Sequence, residues 1–160
     1  AGNVLTILAV DSWSAYYPDI ADDTLTDRAR RPAERLADVC LNQPSRFRIV
    51  IVGLTLPAQV LAIDPFTDPT WVARLDENTP DPEGITAPVL VAQGLADEII
   101  AADVTHAWVT ARCRADLATV WDTYPDVNHT GVVGPGGAAA LSWTIDRFEG
   151  TTAADQCPAP

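Results

Sequence analysis

The run "APVLVAQGLADEII", Ala87 to Ile100, decides how the chain folds. Its first part is a nearly continuous apolar stretch bounded by Pro88 and Gly94. That is the pattern of a strand buried on both faces of a parallel sheet. Gly94 breaks the run, and Asp97 follows three residues later. Two readings fit this aspartate: a turn residue ahead of a helix, or a carboxylate delivered to the edge of a site.

The chain downstream favours the second. "AADVTHAWVTARCRA" (101–115) reads as a helix capped by Asp103 or a neighbour, and "ATVWDTYP" (118–125) alternates like a second strand. "NHTGVVGPGG" (128–137) reads as a loop, and "AAALSWTIDRFEG" (138–150) as a last helix stopped at Gly150. Two parallel strands joined by a helix form a right-handed crossover, with ligand sites in the loops after the strands. Asp97 and His129 occupy those two loops, and adjacent strands lie about 5 Å apart. A carboxylate on one imidazole nitrogen sets the tautomer, leaving the other nitrogen to take a proton from a nucleophile. Acid before histidine, late in a chain whose serine precedes both, is the order of α/β-hydrolases. His106 falls mid-helix and reads as a surface residue.

Before residue 84 the character is different. Residues 3–17 carry Leu5, Leu8, Ala9, Trp13 and Tyr16 near helical spacing, and Pro18 ends that helix. "TDRARRPAERLADVCL" (26–41) reads as an amphipathic helix with Leu36, Val39 and Cys40 on one side, capped by Thr26 or Asp27. "FRIVIVGL" (47–54) is ambiguous between helix and strand, and a short helix is expected over 69–75. Trp13, Tyr16, Tyr17 and Trp71 suit either an acyl pocket or ordinary packing. The carboxylates Asp19, Asp22, Asp23 and Asp27 lack the spacing of a calcium loop and read as a solvated turn. The glycines 131, 134, 136 and 137 precede no Gly-Lys-Ser, so they read as a turn into the last helix.

With 160 residues, 48% of them apolar, the chain can bury a core. Its net charge is −12, all ten basic residues are arginine, and no run of them reads as a phosphate-binding surface for nucleic acid. "NVLTILAV" is too short to span a bilayer. Methionine is absent, so Ala1 is read as following a removed or upstream segment. The cysteines Cys40, Cys113 and Cys157 have no metal-type spacing. A helix cysteine and a cysteine in a proline-rich tail suggest a Cys113–Cys157 bridge and an oxidising compartment, with buried free thiols as the alternative.

"APVLVAQGLADEII" and "YPDVNHTG" together look like the end of an α/β-hydrolase. "SWSAYYPDI", "DPTWVARLDENTP" and the tail cysteine narrow this: over essentially its whole length the chain resembles the secretory lipase family of fungal lipase A-type enzymes and their actinobacterial relatives. The resemblance implies an α/β fold: the C-terminal part of an α/β-hydrolase sheet (85–160), preceded by a mainly helical cap or lid (1–84). It implies a secreted lipase or carboxylesterase acting on lipid acyl esters without cofactor or metal, with Asp97 as triad acid and His129 as base. Cys113 pairs with Cys157 in this reading, and Cys40 pairs with a cysteine in an N-terminal portion, which can be a separate chain. Transient contact with a lipid interface belongs to the same reading. The departure is the nucleophile. No G-x-S-x-G is present, and Ser12, Ser14, Ser45 and Ser142 lack the flanking glycines. The serine is therefore expected outside these residues, and the chain alone is expected to be inactive. Two further readings are a non-catalytic α/β binding module and an α/β-hydrolase of other specificity, such as a peptidase.

Overall fold

A computed structural model describes residues 2–20, 22–37, 46–154 and 156–157. The chain forms two compact units, Ala1–Thr79 and Pro80–Pro160.

The first unit is helical: α1 (Gly2–Tyr16), a 3₁₀ turn at Asp22–Thr24, α2 (Asp27–Ala37), α3 (Arg46–Leu54) and α4 (Pro69–Asn78). The ambiguous "FRIVIVGL" is helix α3. Ile7 and Val10 of α1, Ala29, Ala33 and Leu36 of α2, and Val52 of α3 meet in one core. The spacing 29, 33, 36 is that of one helix face. Val39 and Cys40 lie outside the described residues. Asp68 starts α4 by accepting the Thr70 and Trp71 amides at 3.0 Å each, with Pro69 at the first position, where no N–H is needed. That start drives Trp71 into the core. Its indole stacks on Trp13 at 5.5 Å and donates to the Thr24 hydroxyl at 3.1 Å. Trp13 and Trp71 thus pack together. Among the acidic residues, Asp19 pairs with Arg74 at 2.7 Å, which holds its carboxyl below the usual range. No cluster able to hold a metal ion occurs among the described residues.

The second unit is mixed: β1 (Val89–Gly94), α5 (Ala102–Arg114), β2 (Thr119–Tyr124) and α6 (Val133–Phe148). β1 and β2 pair in parallel, Val89 opposite Thr119 through Gly94 opposite Tyr124. Alternate residues point to opposite faces. On one face Thr119 meets Arg112 and Trp121 meets His106, both of α5. On the other, Ala92 and Tyr124 meet Gly136 of α6. The result is an α/β arrangement with a helix on each side of a two-stranded sheet. His106 is half-buried, its ring 5.8 Å from that of Trp121.

Three expectations are corrected. β1 is not buried on both faces: only Gln93 and Gly94 are buried, and Val89 to Ala92 are half-buried. β2 covers one of its edges, and no strand covers the other among the described residues. Asp103 does not cap α5. The cap position is Ala101, without a side-chain bond, and Asp103 sits in the first turn. The glycine-rich stretch is a loop only as far as Val132, because α6 begins at Val133. Pro135 sits in its first turn, where a missing N–H costs nothing. Gly136 lies so close to the sheet that a Cβ there would come within 2.9 Å of the Ala92 Cβ.

Two devices tie the unit together. Arg112 is fully buried, and among the described residues no carboxylate pairs with it. It donates to the carbonyls of Pro82 (2.8 Å), Ile85 (2.7 Å) and Ala87 (3.1 Å) and to the Thr119 hydroxyl (3.2 Å), and it lies over the Trp108 ring. Its planar fork thereby fixes the segment leading into β1. The second device is the Cys113–Cys157 disulfide. It holds the tail where Gln156 accepts the Trp121 amide at 3.3 Å and donates to Thr119 O at 2.9 Å. Gln156 therefore bridges to the β2 edge, and the bridge that pins the tail is the one the cysteine positions suggested.

Candidate functional site

β1 and β2 end side by side, and their following loops are stitched together. Leu95 N donates to Tyr124 O at 2.9 Å and Ala96 N to Val127 O at 3.1 Å. This contact explains Gly94: a Cβ there would overlap the Val127 carbonyl. Only glycine lets the two loops approach this closely.

Asp97 is built into the first loop by its own carboxylate. Oδ1 accepts the Ile99 and Ile100 amides at 2.8 and 2.9 Å, an Asx-type turn that leaves Oδ2 free to face the second loop. Oδ2 lies 2.9 Å from Nδ1 of His129. The Asp97 side chain is 5% exposed and the His129 side chain 45%. The aspartate is thus enclosed while the histidine opens to solvent. Burial pushes the Asp97 carboxyl up, but hydrogen bonds from Ile100 N, His129 and Ile99 N outweigh it and hold the group below its usual value. An ionised Asp97 can only accept, so Nδ1 carries the proton and Nε2 keeps its lone pair. Among the described residues nothing hydrogen-bonds to Nε2.

Two supporting residues escaped the sequence reading. Gln93 is buried, and its Nε2 donates to Gly94 O (2.8 Å) and Ile100 O (3.4 Å), bridging the two ends of the acid loop. Its signal was there, as the one polar residue in an apolar strand. Asn128 Oδ1 accepts from Gly131 N at 2.9 Å, which shapes the turn carrying His129. An asparagine in a glycine-containing loop is a recognisable turn former.

Of the serines, Ser12 and Ser14 lie on α1 and Ser142 on α6, while Ser45 lies outside the described residues, as does Cys40. A groove of about 530 Å³ opens over β2 between α6 and the tail, lined by Val120, Asp122, Trp143, Arg147 and Gln156; neither Asp97 nor His129 borders it. Leu95, Ile99, Ile100 and Val104 beside the acid, and Val133 beyond the histidine, are exposed. Among the described residues no helix is long and apolar enough to cross a membrane.

Compared with known proteins, the chain matches no family model and no curated protein.

Proposed function

We propose that the chain supplies the acid and the base of a secreted serine ester hydrolase of the secretory lipase type, whose serine comes from a segment outside these residues. The observation carrying this reading is the Asp97–His129 pair: Oδ2 to Nδ1 at 2.9 Å, the acid anchored by two backbone amides, and Nε2 without a hydrogen-bond partner among the described residues. In this reading Nε2 takes the serine proton as the serine oxygen attacks the ester carbonyl. It returns that proton to the alcohol as the alkoxide leaves, and an acyl-enzyme remains. A water deprotonated by the same nitrogen then releases the acid and restores the serine. Asp97 holds the imidazole and balances its charge.

Four further features support the reading. Leu95, Ile99 and Ile100, exposed in the loop that carries Asp97, suit an aliphatic acyl chain. The register directs the backbone groups of Leu90 and Ala92 away from β2, toward an edge that no strand covers among the described residues. An uncharged open edge of this kind invites another strand. Leu141, Ile145 and Phe148 on α6 are exposed at i, i+4, i+7, a face suited to a packed segment. The disulfide is consistent with an oxidising compartment.

Hydrolysis of p-nitrophenyl acyl esters tests the proposal. The 160-residue chain alone is expected to show none. Activity is expected when the chain is assembled with a segment bearing a Gly-x-Ser-x-Gly serine, and a drop of about 10⁴-fold in Asp97→Asn. Turnover by the isolated chain, or an assembled enzyme indifferent to His129→Ala, would refute it.

A further inference from the structure

Strand β1 is apolar from Val89 to Ala92 and then places Gln93, only 5% exposed, in the sheet. Gln93 stands opposite Thr123, on the face where Thr119 and Trp121 meet α5. A buried amide costs stability unless its polar atoms are bonded, and an apolar side chain of the same size carries no such demand. Packing alone therefore does not account for a glutamine here.

The bonds of its Nε2 go to the two ends of the loop that leaves the strand: Gly94 O at 2.8 Å and Ile100 O at 3.4 Å. Both carbonyls belong to residues that also hold Asp97. Gly94 O accepts the Asp97 amide at 3.3 Å. Ile100 donates its own N–H to Asp97 Oδ1 at 2.9 Å, beside Ile99 at 2.8 Å. One side-chain amide thus ties the backbone that grips the Asp97 main chain to the backbone that grips its carboxylate. A carboxylate is planar, so two donors on Oδ1 set where Oδ2 points, which is at Nδ1 of His129, 2.9 Å away.

We propose that Gln93 is a positioning residue for the acid–base pair: through the Gly94 and Ile100 carbonyls it fixes the aim of Asp97 Oδ2, and so the tautomer of His129. The inference rests on the reading of Asp97 and His129 as acid and base, and it is independent of the ester and of the nucleophile. A residue that only fills space would be replaced without effect by any side chain of equal volume. A residue that aims the carboxylate would not.

Nitrogen NMR of the histidine rings in the 160-residue chain tests this at about pH 8.5, well above the ordinary imidazole value, where the ring is neutral. Free neutral imidazole favours the proton on Nε2, whereas an ionised Asp97 holds it on Nδ1. The parent is expected to show His129 protonated on Nδ1. Gln93→Met keeps the volume of the side chain and removes its donor. It is expected to shift His129 toward the form protonated on Nε2. Exchange of the Ile99 and Ile100 amides is expected to quicken about tenfold, the loosening that one lost hydrogen bond implies. Gln93→Leu takes its place if the methionine variant departs from parental circular dichroism. His106, the only other histidine, sits on α5 with its ring near Trp121 of β2, so an unchanged His106 pattern shows that α5 keeps its place. A His129 that stays protonated on Nδ1 in the variant overturns the proposal and leaves the pair intact. A His106 pattern that changes together with that of His129 reduces Gln93 to a role in the fold and overturns it too. A parent already protonated on Nε2 refutes the pair itself, and the inference falls with it.

Discussion

Asp97 shows how much one side chain organises. One oxygen closes its own turn through Ile99 and Ile100, and the other reaches His129. Its folded-state carboxyl ionises more readily than an unfolded one. Its stabilising contribution is therefore complete above the unfolded value of about 3.9, and it is lost as pH falls through the lower folded-state value. Thermal unfolding of the parent and Asp97→Asn across pH checks this. The gap between the two is expected to be widest near neutrality and to close below about pH 4. A gap that widens on acidification contradicts the assignment. Asp97 and His129 were legible in the sequence because each follows a strand whose local pattern is clear. Gln93 was not legible in the same way: its role depends on Ile100 O being brought back beside Gly94 O, a tertiary fact.

Among the elements, α6 departs furthest from its sequence pattern. Glycine and proline ordinarily break helices, yet here they open one, because the sheet beneath leaves no space for a side chain at Gly136. The comparison with Gly137, which has nothing within 4 Å of a built Cβ, makes this testable. Gly136→Ala is expected to destabilise by about 1–3 kcal/mol through overpacking. Gly137→Ala is expected to stabilise by about 0.5–1 kcal/mol through helix propensity alone. Urea unfolding of both variants reads the opposite signs. Gln156 of the tail bridges to β2 and is kept in place by a disulfide between residues 44 apart in sequence. Replacing Cys113 and Cys157 with serine is expected to cost about 4 kcal/mol in the chain-entropy view. It should also speed hydrogen exchange at the Trp121 amide, which donates to Gln156. An unchanged Trp121 exchange rate would show that the tail holds its place without the bridge.

At the scale of the whole molecule, the net charge of −12 is unevenly spread. The arginines gather on α2 and α3 while carboxylates dominate the rest. The sequence by itself determined the order strand, helix, strand, helix after residue 84, the acid and histidine loops, and the cysteine pair worth bridging. Those features depend on residue periodicity and on turn-forming residues, which act over a few positions. Only the tertiary structure decided that "APVLVAQG" is an open-edged, half-buried strand, that Gly94 is required by the Val127 carbonyl, and that Arg112 is spent on three carbonyls. It likewise decided that α3 leaves Phe47, Val50, Ile51 and Leu54 exposed. Burial and close approach depend on which distant segments arrive alongside, and no local pattern carries that information.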